Sequence, residues 1–305
     1  MAPLNVDRNF KSDQFLHLAE SFTIWLETLG YRPHTVKMAT WNISEFFAFL
    51  ESQNTVHLKD YENKLLGGYL EYLHHRPNCM KNGGLSSGYI NKHVTSLRQF
   101  SKYLQVTGKA GITLKPELLK TAETATYLSK AEIQSLYKAA ADQNNLYNQR
   151  DTAMLGIYYG CGLRASEGAA LDIGDILFEK SLVYVRKGKN YKERYVPMNL
   201  QVKRDLKDYV IDQRKALLRG NKTEALLLNR QGSRWSVLSI YMRLQWLKDR
   251  TNLEGLKKKT FGMHILRHSI ATHLLQSGMK LEQISSFLGH KSLESTQKYT
   301  HLANE

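Results

Sequence analysis

The sequence predicts a mainly α-helical protein with a small β-sheet: an N-terminal four-helix bundle followed by a larger α+β unit. Two observations carry this prediction. Apolar residues recur at helical spacing four times within residues 1–110. Then, near residues 181–198, the period shifts once to the alternation of a strand pair before helical spacing returns. At 305 residues the chain is long enough to bury two cores.

The elements follow in order. Phe15, Leu18, Ala19, Phe22, Leu26 and Leu29 form the first stripe, stopped by Gly30. After "RPHT" the set Val36, Thr40, Ile43, Phe47 and Leu50 forms the second. Leu66, Tyr69, Leu70 and Leu73 form the third. Ile90, Val94, Leu97, Phe100 and Leu104 form the fourth, entered through "GGLSSG" and ended by Gly108. Residues 111–126 mix Gly, Pro and Lys without sustained periodicity and are expected to contain the linker between domains 1–110 and 127–305. In the second domain "LSKAEIQSLYKAA" opens on a serine cap. Met154, Ile157, Tyr158 and Cys161 share a helical face interrupted by Gly160 and Gly162. "SLVYVRKGKNYKERYVPM" reads as a basic β-hairpin, and helical pattern is expected from about residue 200 to the end.

The charge is that of a polyanion-binding protein or, equally on composition alone, of a solvated basic surface. Lys and Arg number 43 against 28 Asp and Glu, a formal +15, with a pI near 9.6. The excess is unevenly placed: 12 basic against 9 acidic side chains in residues 1–110, then 31 against 19 beyond. Nucleic acid explains this better than a membrane surface. No apolar run approaches the ~18–20 residues of a membrane span, and the start "MAPLNVDRNFKSD" lacks a signal-peptide core. The two cysteines, Cys79 and Cys161, offer neither metal spacing nor a disulfide framework, which suits a reducing cytoplasm. His264 and His268 stand at i, i+4, but no cysteine or "HExxH" glutamate completes a zinc site, and His268 and His273 read as structural.

Four stretches of the second domain carry chemistry. "GCGLRASEGAAL" places Arg164 and Glu167 three apart on a helical turn; "KGKNYKER" is the basic hairpin. "HILRHSIATHLL" puts His264 and Arg267 on one helix face, and "LGHKSLESTQKYTH" carries His290 and Tyr299. In this order, over residues 125–301, these motifs resemble the tyrosine recombinase family, which includes phage integrases and Xer recombinases. The N-terminal bundle, with "SSGYINKHVTSLRQFSKYL", is similar to that family's core-binding, SAM-like domain. The resemblance thus covers nearly the whole chain and implies a C-terminal catalytic domain of the same family.

Carried over by position, it implies a catalytic set of Arg164, Lys189, His264, Arg267, His290 and Tyr299, with Tyr299 the nucleophile. Registering on Lys-Glu-Arg selects Lys189, with Lys187 and Lys192 as rivals on the same hairpin. Lys187, Lys192, Arg194 and Arg98 are the expected DNA contacts, and Glu167 is expected to orient Arg164 rather than carry a proton.

The residue types suit the chemistry. A phenol with an ordinary pKa of about 10 must lose its proton as it attacks phosphorus. Two guanidiniums clamp the non-bridging oxygens with permanently charged planar forks that lysine does not reproduce. His290 is suited to donate a third hydrogen bond, His264 to accept the phenolic proton or help hold the phosphate, and a hairpin lysine to protonate the departing 5′-oxygen. With two arginines in place no metal or other cofactor is called for. The covalent link preserves phosphodiester energy, so religation needs no ATP.

The resemblance also implies double-stranded DNA with specific recombination sites as partner. It implies a homo-tetramer on synapsed DNA exchanging strands through a Holliday junction, in a bacterial cytoplasm and with no membrane partner; accessory proteins are compatible with it. The chain reads as the minimal two-domain form. Only "THLANE" follows Tyr299, shorter than the further helix by which relatives engage a neighbouring protomer. That contact would then come from the Tyr299 segment, from an upstream helix, or from a longer natural chain. Two other readings share the chemistry or the fold: a type IB topoisomerase acting without synapsis, and a non-catalytic DNA-binding protein. The complete residue set argues against the second, and the small helical domain against the first.

Overall fold

The computed structural model describes residues 9–78, 83–109, 113–120, 127–142, 144–186 and 193–289. The chain divides into two compact units, Met1–Glu123 and Thr124–Glu305, each with its own hydrophobic core.

The first unit is built, among the described residues, on α1 (Asp13–Thr28), α2 (Pro33–Ser52), α3 (Asn63–His75) and α4 (Ser87–Thr107). Their ends follow from local chemistry. The Ser12 and Ser86 hydroxyls accept the backbone N–H groups of Phe15 and Tyr89, satisfying donors that a helix start leaves open. Pro33 occupies the first turn of α2, where a missing N–H costs nothing. Gly108, at φ 63°, closes α4 in the left-handed conformation. The expected stripes face inward, except that Leu29 lies past the last turn of α1 and is 54% exposed. Phe15 stacks on Phe47 at 4.5 Å, and Phe100 meets Phe22 and Phe47 edge-on at 5.3 and 5.4 Å, so α1, α2 and α4 share one aromatic centre.

Part of the expected linker belongs to this unit. Within residues 113–120 Leu114 is buried and its N–H donates to the Ser101 hydroxyl. The Asn91 amide brackets Leu119, accepting its N–H at 2.8 Å and donating to its carbonyl at 2.9 Å. Arg98 donates from Nε to the Pro116 carbonyl at 2.9 Å.

The second unit opens with α5 (Lys130–Ala141), entered by a capping box between Ser129 and Glu132. Next comes α6 (Asn148–Leu155), which runs into a wide helical turn at Gly156–Gly160. A short helix, α7 (Ala165–Ala170), precedes an antiparallel sheet of β1 (Ile176–Leu177), β2 (Leu182–Val185) and β3 (Arg194–Pro197) in that order. The expected hairpin is the β2–β3 pair, with Tyr184 opposite Tyr195 and Val185 opposite Arg194. The third strand, β1, is two residues long, too short to show alternation in sequence.

After the sheet, α8 (Leu200–Asp208) continues through a second wide turn into α9 (Arg214–Leu218). Val202 on α8 packs against Gly156 and Gly160, and a Cβ at Gly160 would overlap it. The helical run expected from residue 200 onward is interrupted. Ala225–Leu228 are buried in a non-helical segment that bends at Leu226 and Leu227, with isolated bridges from Ala225 to Asp172 and from Leu228 to Arg234. The chain turns there because the Asn229 side chain accepts the N–H groups of Gln231 and Ser233. Helices then resume as α10 (Val237–Asp249), α11 (Glu254–Lys258), α12 (Met263–Gln276) and α13 (Leu281–Leu288). Among the described residues no helix is long and apolar enough to cross a membrane.

Candidate active site

The site is assembled around the joint between α6 and α7. Gly162 turns the chain at φ 59°, and a Cβ there would come within 3.0–3.2 Å of Leu288, Ile270 and Phe287. Glycine is needed on both counts, for the backbone conformation and for the close approach of α12 and α13. Arg164 follows in extended conformation at the start of α7.

Glu167 is the buried hub of the cluster. Its Oε2 accepts the Arg164 backbone N–H at 3.0 Å, and its Oε1 accepts Nη1 of the Arg164 guanidinium at 2.8 Å. Arg194 on β3 donates both Nη groups to the same carboxylate, at 3.0 and 2.8 Å. Burial pushes the Glu167 carboxyl up, but the bonds from Arg194 and Arg164 outweigh it and hold the group down at about 2. It is a fixed anion and suits orienting an arginine better than moving a proton.

Arg164 also donates from Nη2 to the Gly289 carbonyl at 3.3 Å. Arg267, one turn into α12 and buried, donates from Nη1 to the Gly162 carbonyl and from Nη2 to the Leu288 carbonyl, each at 2.7 Å. The two arginines foreseen from sequence are therefore brought to adjacent carbonyls at the end of α13. Among the described residues two of the five N–H groups of Arg164 are engaged by Glu167 and Gly289, and its side chain stays 20% exposed. His264 lies exposed in the first turn of α12, one turn before Arg267.

The other expected residues divide. Lys187, Lys189, Lys192, His290 and Tyr299 lie outside the described residues, as does Cys79. Arg194 is half-buried, its side chain 12% exposed, with its fork on Glu167. Arg98 is on α4 of the first unit, exposed and bonded to Pro116. His273 is buried, its Nδ1 2.9 Å from the Tyr159 hydroxyl. Burial, and then the nearby Lys130 charge, lower its pKa, in keeping with a structural role.

Sequence reasoning missed two features. Gly289, at φ 64°, leaves room for Arg194, whose Cδ would lie 2.6 Å from a Cβ there. A glycine directly before the candidate His290 was the available signal. Arg186, at the other leg of the hairpin, donates to Asp172 and Asp175 at 2.5 and 2.8 Å; only its place next to the "KGKN" turn hinted at an anchor.

The chain is similar to known proteins in sequence and in fold. Residues 126–305 match the model of the phage integrase family. The tyrosine recombinase XerC of Oceanobacillus iheyensis is 31% identical over 278 residues, covering 90% of this chain and 87% of that one. XerD of the same organism is 31% identical over 291 residues, covering 87% and 95%. In fold, the chain is similar to the XerH site-specific recombinase solved with its difH substrate before cleavage (TM-score 0.70, 22% identity, covering 96% of this chain and 81% of that one). With that family's model matched over residues 126–305 and relatives 31% identical over about nine-tenths of its length, this chain belongs to the phage integrase family of tyrosine recombinases, enzymes that break and rejoin DNA at specific sites.

Proposed function

We propose that this protein cleaves and rejoins double-stranded DNA through a 3′-phosphotyrosyl intermediate in which Tyr299 is the nucleophile. One observation carries the reading. Arg164 and Arg267 converge on the carbonyls of Gly289 and Leu288, immediately before His290, in a chain of a recombining family.

Arg164 has N–H groups to offer and partial exposure, which fits a clamp on a non-bridging phosphate oxygen. Arg267 supplies a second permanent charge on the same side. His290 would add a hydrogen bond to the same phosphate, and His264 would accept the phenolic proton or support the phosphate. Lys189 would protonate the leaving 5′-oxygen, with Lys187 and Lys192 gripping the backbone around the cleaved step. As the Tyr299 oxygen bonds to phosphorus the P–O5′ bond breaks, leaving a 3′-phosphotyrosyl ester and a free 5′-hydroxyl. Religation reverses these steps with a new 5′-hydroxyl, without an external energy source.

Partner and assembly belong to the same reading: specific DNA sites, four protomers on two duplexes, and a Holliday junction between two pairwise exchanges. The similar XerH structure was solved on DNA. Transposition, integration and resolution of dimers all use this chemistry, in a bacterial cytoplasm. The N-terminal unit, as a core-binding domain, would supply phosphate contacts that position the catalytic unit.

The test uses a nicked suicide duplex built on the sequence that the protein itself enriches from a randomised pool, incubated in EDTA. A covalent adduct with wild type and none with Tyr299→Phe is the expected result. An adduct from Tyr299→Phe would displace Tyr299. Binding without any adduct would favour the non-catalytic reading, and relaxation of supercoiled DNA without strand transfer between two duplexes would favour the topoisomerase.

A further inference from the structure

Resting on that reading, we propose that Arg194 is a positioning residue for strand cleavage. It holds Glu167, and through it Arg164, against the end of α13, and does not contact DNA itself.

The sequence placed Arg194 among the DNA-contacting hairpin residues, and the strand shows why it differs from them. On β3 the side chains alternate: Arg194 and Val196 turn inward while Tyr195 is 58% exposed. Inward-facing, the Arg194 guanidinium meets Glu167 in a two-bond fork, Nη1 to Oε1 and Nη2 to Oε2. A fork spent on a buried carboxylate is poorly placed to grip a phosphate. The same side chain fills the space left by Gly289, whose missing Cβ would lie 2.6 Å from Arg194 Cδ and 2.8 Å from its Nε.

Arg194 therefore touches two of the parts that set the site. Glu167 fixes the backbone and one Nη group of Arg164, and the residue beside Arg194 accepts the other. Removing Arg194 leaves Glu167 with one arginine instead of two, opens the gap beside Gly289, and frees Arg164 to shift. Without the fork the Glu167 carboxyl rises toward its ordinary value, so its anion, and with it the grip on Arg164, weakens at mildly acid pH. Lysine keeps a charge at this place but not the planar two-bond geometry.

The test compares Arg194→Gln and Arg194→Lys with wild type on the nicked suicide duplex. It reads affinity, its salt dependence, the adduct rate at saturating DNA, and the pH profile of that rate. Arg194→Gln is expected to bind with an unchanged salt slope and to form adduct about 10–100-fold more slowly, the order found when the groups that orient a metal's ligands are removed. Its acid limb moves toward neutral pH, and Arg194→Lys recovers only part of the rate. A purely structural role would lower the melting point or the active fraction and leave the pH profile of the remaining activity in place; that result overturns the proposal. So does a salt slope lower by about 1 with the saturated rate intact, which marks a phosphate contact. If Arg194→Gln does not fold, Arg194→Lys carries the same measurements. A wild-type protein that forms no adduct at all removes the recombinase reading, and this proposal with it; adduct from wild type and at an unchanged rate from both variants removes this proposal alone.

Discussion

Arg164 and Arg267 donate to neighbouring carbonyls, of Gly289 at 3.3 Å and of Leu288 at 2.7 Å. The two guanidiniums are thus registered against each other by one short piece of backbone, although they stand 103 positions apart in the chain.

Arg267→Lys keeps a charge but does not span the Gly162 and Leu288 carbonyls. Leaving a buried acceptor unpaired costs about 1–3 kcal/mol, and loss of a preorganised donor costs about 10²–10³ in rate. The variant is expected to melt at lower temperature and to lose the adduct at least 100-fold, to order of magnitude. Calorimetry and the suicide-duplex assay check this, and full activity would remove Arg267 from the clamp.

Gly289→Ala meets two penalties at one position. The left-handed backbone disfavours a side chain by about 1–2 kcal/mol, and the new methyl lands on Arg194. Adduct formation should fall while DNA affinity holds. The control is Gly278→Ala: φ there is +87°, but no atom stands within 4 Å of the added methyl, so it carries the backbone cost alone.

Glu167 makes stability pH-dependent in a stated direction. Its folded pKa, about 2, lies below its ordinary 4.5. Its contribution is therefore fully present above about 4.5 and is lost as pH falls through about 2. Melting curves across this window should fall less steeply with acid for Glu167→Gln than for wild type. Parallel curves would mean that the carboxylate adds nothing to folding.

Cys161 is fully buried, and burial pushes its thiol up to about 12. The thiolate is the reactive form, so iodoacetamide at pH 8 should leave the Cys161 peptide unmodified in the folded protein and label it in denaturant. Peptide mass mapping reads both states, and labelling without denaturant would show that the α6–α7 joint opens.

Much of this arrangement was legible beforehand. Helical stripes such as Ile90, Val94, Leu97, Phe100 and Leu104 announced themselves because one face had to be buried. Arg164, Glu167 and Arg267 stood out because their motifs, taken in order, resemble those of the tyrosine recombinase family. What stayed hidden depends on distant partners. Nothing near Arg194 names Glu167, 27 positions away, as the carboxylate it meets. The burial of the bent, non-helical Ala225–Leu228 segment goes with a bridge from Ala225 to Asp172, supplied from another part of the fold. The same holds for residues 113–120, whose lack of sustained periodicity suggested a linker, though Asn91 and Ser101 bond their backbone.

The glycine notch where α8 meets the wide turn of α6 couples two positions. Gly160 has no room for a methyl because a Val202 methyl stands too close to where it would lie. The constraint runs one way: position 160 stays glycine as long as position 202 keeps its valine. A Gly160→Ala change should be strongly destabilising in the native background and close to harmless beside Val202→Ala, a coupling that a double-mutant cycle reads directly. A larger side chain at position 160 therefore waits on a smaller one 42 positions away.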